Sequence, residues 1–359
     1  MRFSSRTPVD FDPNDVSAAA DAARDAGTEL IDLTITNPTI VGLPDQSARI
    51  AHALASAAGA PYEPDPRGLR VAREAVAAHH AARGLAIDPD DVLITCSSSE
   101  SYSYLFKLLC DAGDEVMIPS PSYPLFAHLA ALEAVTTAPY GDPRRVRTSD
   151  RTRAVIAVSP NNPTGEVLDA GAVDVLDQIC AQAGCALVGD EVFADYAAPH
   201  MASVLGARHA LAFSLGGLSK ACGLPQLKLG WIVMAGPRAL VEAARPRLEL
   251  IADTYLSVAS PVQHALPALM QIGKDIRASI RARIAQNRAA LAPILPSDGG
   301  WTAIVSVSDE DSAVAQLLAD GVIVQPGWFY DLPGDHLVLS LLTPPDDVAR
   351  ALPALARVR

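Results

Sequence analysis

"DVLITCSSSESYSYLFKLLCDAGDEVMIPS", residues 91–120, spells out a complete strand, helix and strand. The apolar run at 92–94 ends in polar residues. Serines suited to capping follow, then Leu105, Leu108 and Leu109 at helical spacing, and after Gly113 a second apolar run begins. Two short apolar runs joined by one helix predict parallel strands with a crossover connection.

The same rhythm continues outward. "RAVIAVS" (153–159), "CALVGD" (185–190) and "ALAFSL" (210–215) read as further strands, and "AGAVDVLDQICAQAG" (170–184) as another crossover helix. The class is therefore α/β with a mostly parallel sheet. Beyond Pro261 a long helical run (262–295) leads to "WTAIVSVS" (301–308), "GVIVQPG" (321–327) and "HLVLSLL" (336–342), which predict a smaller α+β domain on a linker helix.

Composition narrows the function. The 359 residues are 50% apolar and 19% charged with a net charge of −13, and their basic residues form no dense run, so nucleic acid is not an expected partner. No stretch approaches the roughly 20 apolar residues of a membrane span, and residues 1–16 lack an apolar leader core, which predicts a cytoplasmic protein with no membrane partner. Cys96, Cys110, Cys180, Cys185 and Cys222 show no Cys-x-x-Cys spacing; they read as reduced thiols, mostly in the core. No metal site is expected. His79 and His80, in an alanine-rich helical stretch, read as solvent-facing, while His209, His264 and His336 have no partner at metal spacing.

In open α/β sheets ligands bind beyond the carboxyl ends of the strands, so the polar residues there are the candidates. Ser98 and Ser99 offer a helix N-terminus that could seat a phosphate or simply cap the helix. Asp190, followed by Glu191, could pair with a cationic ligand nitrogen or cap the next element. "SPNNPTG" (159–165) has turn composition, yet Asn162 could aim its amide at a ligand oxygen. Lys220, in "SLGGLSKACGLPQLKLGW" (214–231), is a surface lysine or, if desolvated, an amine nucleophile toward an aldehyde.

Taken together, "SPNNPTG", "DEVFADY" (190–196) and "GLSKACGLPQLKLGW" (217–231) resemble the class I/II aminotransferases of the fold-type I pyridoxal-phosphate enzymes, from about Asp32 to the C-terminus. The resemblance implies a mostly parallel seven-stranded sheet in a large cofactor-binding domain (43–282) and a small domain made of 1–42 and 283–359. It implies pyridoxal 5′-phosphate as cofactor and a ping-pong exchange between an amino donor and a keto acid. Lys220 would carry the cofactor as a Schiff base and move the substrate proton, and Asp190 would keep the pyridine nitrogen protonated. Asn162 would bond the phenolic oxygen and Tyr123 would stack on the ring. Ser98, Ser99, Ser219 and Lys228 would hold the phosphate, joined by Tyr62 of a neighbouring subunit, which implies a homodimer with shared sites.

Several positions depart from the family's usual residues. Phe193 replaces a tyrosine, Lys228 an arginine and Gly217 a serine or threonine, which shifts phosphate binding toward Ser219. Val338 stands where an arginine usually grips the substrate carboxylate, and Thr36, followed by Asn37, where a glycine is common. Thr36, Asn37 and Val338 are thus the candidate substrate contacts. The departures keep β-elimination or other carbanion chemistry open as a second reading, and a non-catalytic regulatory or binding derivative as a third.

Overall fold

The structure is a computed structural model that describes residues 1–7, 15–57 and 61–359. Residues 8–14, in the segment expected in the small domain, and 58–60, in that expected in the large one, lie outside it. Among the described residues the strands are β1 (Ile31–Asp32), β2 (Val92–Thr95), β3 (Glu115–Pro119), β4 (Thr136–Tyr140), β5 (Thr152–Val158) and β6 (Ala186–Asp190). They continue with β7 (Ala212–Gly217), β8 (Gly230–Ala235), β9 (Thr302–Ser306), β10 (Val322–Ile323), β11 (Gln325–Pro326) and β12 (His336–Ser340).

Seven strands form one sheet in the order β2-β8-β7-β6-β5-β3-β4. Only β8 runs against its neighbours, so the expected mostly parallel seven-stranded α/β sheet is present. Its strands read as unbroken apolar runs because both faces are covered. Leu93, Ile156 and Phe213 point into a cluster with the helices Ser98–Leu109 and Arg238–Tyr255. Val92 and Ile94 point the other way, toward the helices Arg70–Ala81 and Ser260–Ala290.

Two of the seven strands escaped the sequence reading. β4, "TTAPY", is a polar edge strand, where Pro139 is tolerated because no outer neighbour needs its N–H. β8, "GWIVMA", is a buried apolar run masked by the loop motif that precedes it.

The remaining strands build the smaller sheets. β11, β12 and β9 pair antiparallel, while β10 pairs in parallel with β1. "GVIVQPG" is thus not one strand but two, in different sheets. The helix Ser260–Ala290 links the two regions: Gly273 packs on Cys222 below the large sheet, and the Asn287 amide donates to the carbonyls of Leu341 and Thr343 at 2.9 and 2.7 Å. The expected domain boundary at 282/283 falls inside this helix.

His79 and His80 are not solvent-facing. Their helix lays this face against Trp231, with ring centroids 5.9 and 6.4 Å away. His79 Nε2 lies 3.2 Å from Asp195 Oδ2, whereas the buried His80 has no partner on either ring nitrogen. All five cysteines are free, with Cys180, Cys185 and Cys222 buried and Cys96 and Cys110 half-buried. Among the described residues no helix is long and apolar enough to cross a membrane.

Candidate active site

The carboxyl ends of β2, β5, β6 and β7 open onto a cavity of about 420 Å³. β7 delivers Lys220. Its last residue, Gly217, leads into the short helix Leu218–Ala221, and Leu218 N–H donates to Leu229 O at 2.9 Å, tying this turn to the strand that returns. The Lys220 amine sits over the Trp301 and Phe193 rings, 4.9 and 5.5 Å from their centroids. Burial pushes its pKa below the usual lysine range, opposed by attraction to Asp190.

Asp190 ends β6, nine-tenths buried. Desolvation raises its pKa, while a hydrogen bond from the Tyr102 hydroxyl (2.8 Å), one from Val192 N–H (3.3 Å) and the Lys220 charge pull it down. Asp190 and Lys220 are the only charged side chains lining the cavity among the described residues. Such a pair can hold a cationic ring nitrogen on one side and present an amine nucleophile on the other.

At the end of β2, Ser97 takes the cap: its hydroxyl accepts from Glu100 N–H at 3.1 Å, and Glu100 reaches back to Cys96 N–H at 2.7 Å. Ser98 and Ser99 are therefore left with backbone N–H groups that have no partner among the described residues, facing the cavity at the positive end of a twelve-residue helix. This is an anion seat. The loop after β5 is braced by Asn161, whose amide donates to Pro121 O (3.2 Å) and whose carbonyl accepts from Thr164; the neighbouring Asn162 lines the cavity with its amide uncommitted.

Of the residues singled out in the sequence, Lys220, Asp190, Ser98, Ser99, Tyr123, Asn162 and Thr36 line this one cavity. Five do not. Ser219 is half-buried beside it, and Lys228, in a left-handed turn at φ 48°, is exposed. Tyr62, 73% exposed, lies in a separate cleft with Leu256 and Ser257. Asn37 spends its side-chain carbonyl on Thr39, 3.0 Å from its N–H and 2.7 Å from its hydroxyl. Val338, in β12 and only 1% exposed, is packed with Ile304 and Tyr330 and does not line the cavity. Trp301, Thr302, Gln325, Tyr330 and Tyr102 line the cavity without having been assigned a role. Tyr102 had a readable signal: it lies one helical turn past Ser98, on the same face.

The sequence matches the pattern of the family "Aminotransferase class I and II" over residues 28–355. The chain belongs to this family. The glutamate-pyruvate aminotransferase AlaA of Escherichia coli is 25% identical over 92% of this chain and 90% of its own. The aspartate/prephenate aminotransferase of Thermus thermophilus is 28% identical over 96% and 94%. Among solved structures, an alanine aminotransferase from Pyrococcus furiosus superposes with a TM-score of 0.87 over 99% of both chains at 23% identity, a likeness of fold.

This aminotransferase uses pyridoxal 5′-phosphate, and neither the elimination reading nor the non-catalytic one has support among its relatives. The donor set suits that cofactor. A desolvated amine matches the aldehyde, a buried carboxylate the ring nitrogen, and a free helix N-terminus the phosphate.

Proposed function

We propose that this aminotransferase works by ping-pong exchange, passing nitrogen from an amino donor to its cofactor and from there to a keto acid, as a cytoplasmic homodimer with shared sites. The observation that carries the reading is the pair Lys220 and Asp190, alone in charge among the described cavity residues. Pyridoxal phosphate, when bound, supplies an aldehyde and an electron-accepting ring.

The chain supplies the rest. Lys220, its amine biased toward the neutral form, would hold the cofactor's aldehyde and would take and return the proton at the substrate Cα. Asp190, whose charged form the hydrogen bonds from Tyr102 and Val192 favour against burial, would hold a proton on the pyridine nitrogen. The amide of Asn162 would donate to the phenolic oxygen, and Tyr123 would cover one ring face. The backbone N–H groups of Ser98 and Ser99, with Ser219 and Lys228 nearby, would bind the phosphate. Trp301 and Phe193 keep water from the amine.

Dimerisation is supported by exposed apolar residues beside the phosphate end: Tyr62, Tyr255 and Leu256 are 73%, 52% and 40% exposed. In a homodimer this surface would bring Tyr62 to the neighbouring site. The same reading retains a large domain of residues 43–282 and a small one of 1–42 and 283–359.

Borohydride reduction of the holoenzyme followed by peptide mass analysis tests the assignment. The cofactor is expected on Lys220, and Lys220→Ala is expected to carry none and to lose turnover at least a thousandfold, roughly the weight of a nucleophile and base combined. A label on another lysine would overturn it.

A further inference from the structure

The cavity walls say what kind of substrate they admit. Beyond the cofactor's end they are aromatic and aliphatic: Trp301, Phe329, Tyr330, Leu125 and Phe126. Lys220 is the one cation among the described lining residues, and it is committed to the cofactor. Three guanidinium groups on the long helix are spent elsewhere: Arg277 on Ala221 O and Asp195, Arg281 on Asp195 O, and Arg283 on the carbonyls of Val41 and Leu342.

The neutral donors are mostly spent too. Thr34 gives its hydroxyl proton to Asp32 (2.6 Å), Thr302 to Pro163 O (2.7 Å), Tyr330 to Gln325 Oε1 and Tyr102 to Asp190. Once the Ser98 and Ser99 backbone groups, Asn162 and Tyr123 serve the cofactor, the neutral donors left among the described lining residues are chiefly the Thr36 hydroxyl, the Gln325 Nε2 amide and the unpartnered Trp301 indole N–H. A carboxylate entering here loses its water and meets no uncommitted cation among the described lining residues of its own chain, whereas a neutral carbonyl needs no more than one or two hydrogen bonds.

We propose that the preferred amino donor is a primary amine with a neutral, largely aromatic or aliphatic body bearing at most a carboxamide- or ester-like carbonyl, and that α-amino acids with a free carboxylate are poor donors. This inference rests on the aminotransferase reading and narrows its substrate. In the half-reaction the donor R–CH(NH₂)–R′ becomes the ketone R–CO–R′ while the cofactor's aldehyde becomes its amine. The donor carbon loses two electrons and its hydrogen, the cofactor carbon gains them, and the water released on imine formation balances the water consumed in hydrolysis. Gln325, oriented by Tyr330, meets the neutral carbonyl; a keto acid serves as acceptor only at high KM.

Matched probes decide it. With the holoenzyme at pH 7.5, calorimetry compares unreactive 3-phenylpropionamide with 3-phenylpropionate, and the loss of the cofactor's aldehyde absorbance compares 1-phenylethylamine and phenylalaninamide with phenylalanine. The amide is expected to bind at least tenfold more tightly than the carboxylate, and each neutral amine to exceed phenylalanine at least tenfold in kcat/KM. Gln325→Leu is expected to lower binding of the amide. Equal or tighter binding of the carboxylate, or faster reaction of phenylalanine, overturns the inference. Failure of the aminotransferase reading looks different: no donor of either kind converts the cofactor, and the binding comparison, which needs no turnover, still decides the matter.

Discussion

Tyr102 and Asp190, 88 positions apart in the chain, meet through a 2.8 Å hydrogen bond in which the phenol donates to Oδ2. Burial raises the tyrosine's own pKa well beyond the usual range, so it stays a donor at any working pH. The bond stabilises the charged form of a carboxylate whose pKa desolvation raises. Tyr102→Phe is expected to raise the dissociation constant for pyridoxal phosphate about tenfold, the weight of roughly 1.5 kcal/mol for one hydrogen bond to a charged group. A fluorescence titration of the apoprotein checks this; an unchanged constant would remove Tyr102 from the account.

Asp190 also makes the apoprotein's stability depend on pH. Its folded pKa lies above the ordinary 3.8, so the unfolded chain releases this proton first as pH rises. The ionised carboxylate therefore destabilises the apo fold increasingly as pH climbs from 3.8 through the raised pKa, and the cost persists above it. Asp190→Asn is expected to melt above wild type at pH 7, with the gap shrinking at pH 4, and to lose aminotransferase activity at least a hundredfold. Thermal scans of both apoproteins at the two pH values test the sign.

His80 works in the opposite direction. Burial, joined by the charges of His79 and Arg83 and opposed by Asp195, lowers its pKa from 6.5 to about 3. The unfolded chain takes up the proton below pH 6.5 and the folded one does not, so stability falls with acid by about 1.4 kcal/mol per pH unit from this group. His80→Leu is expected to flatten the pH dependence of unfolding between pH 6 and 4 by about one proton. Urea denaturation across that range gives the slope, and an unchanged slope would contradict the burial of this ring.

Gly68 turns the chain after the Tyr62 segment at φ +84°, and a Cβ there would lie 2.5 Å from Ile94 Cβ. Gly68→Ala combines a left-handed backbone with overpacking against a β2 side chain. A loss of about 2–4 kcal/mol is expected in chemical denaturation. Gly27→Ala, at φ +79° with nothing within 4 Å, is expected to cost only about 1 kcal/mol, which separates the two contributions.

The amino-acid order by itself determined the alternation of strands and helices and the position of Lys220, Asp190, Ser98 and Asn162 just past strand ends. These are local signals: apolar runs, capping serines and turn residues act over a few neighbours. β4 escaped because an edge strand carries little apolar pattern, and β8 because its run follows a motif read for its chemistry. Only the tertiary structure decided which side chains meet. The Tyr102–Asp190 bond, the contact of His79 with Asp195, the burial of Val338 beneath Tyr330 and the commitment of Thr34, Thr302 and Tyr330 to protein acceptors depend on packing. Three of these contacts, Tyr102–Asp190, His79–Asp195 and Thr302–Pro163, join residues far apart in sequence, and in a desolvated cavity the free energy of a polar group depends on whether another part of the chain has already taken its proton.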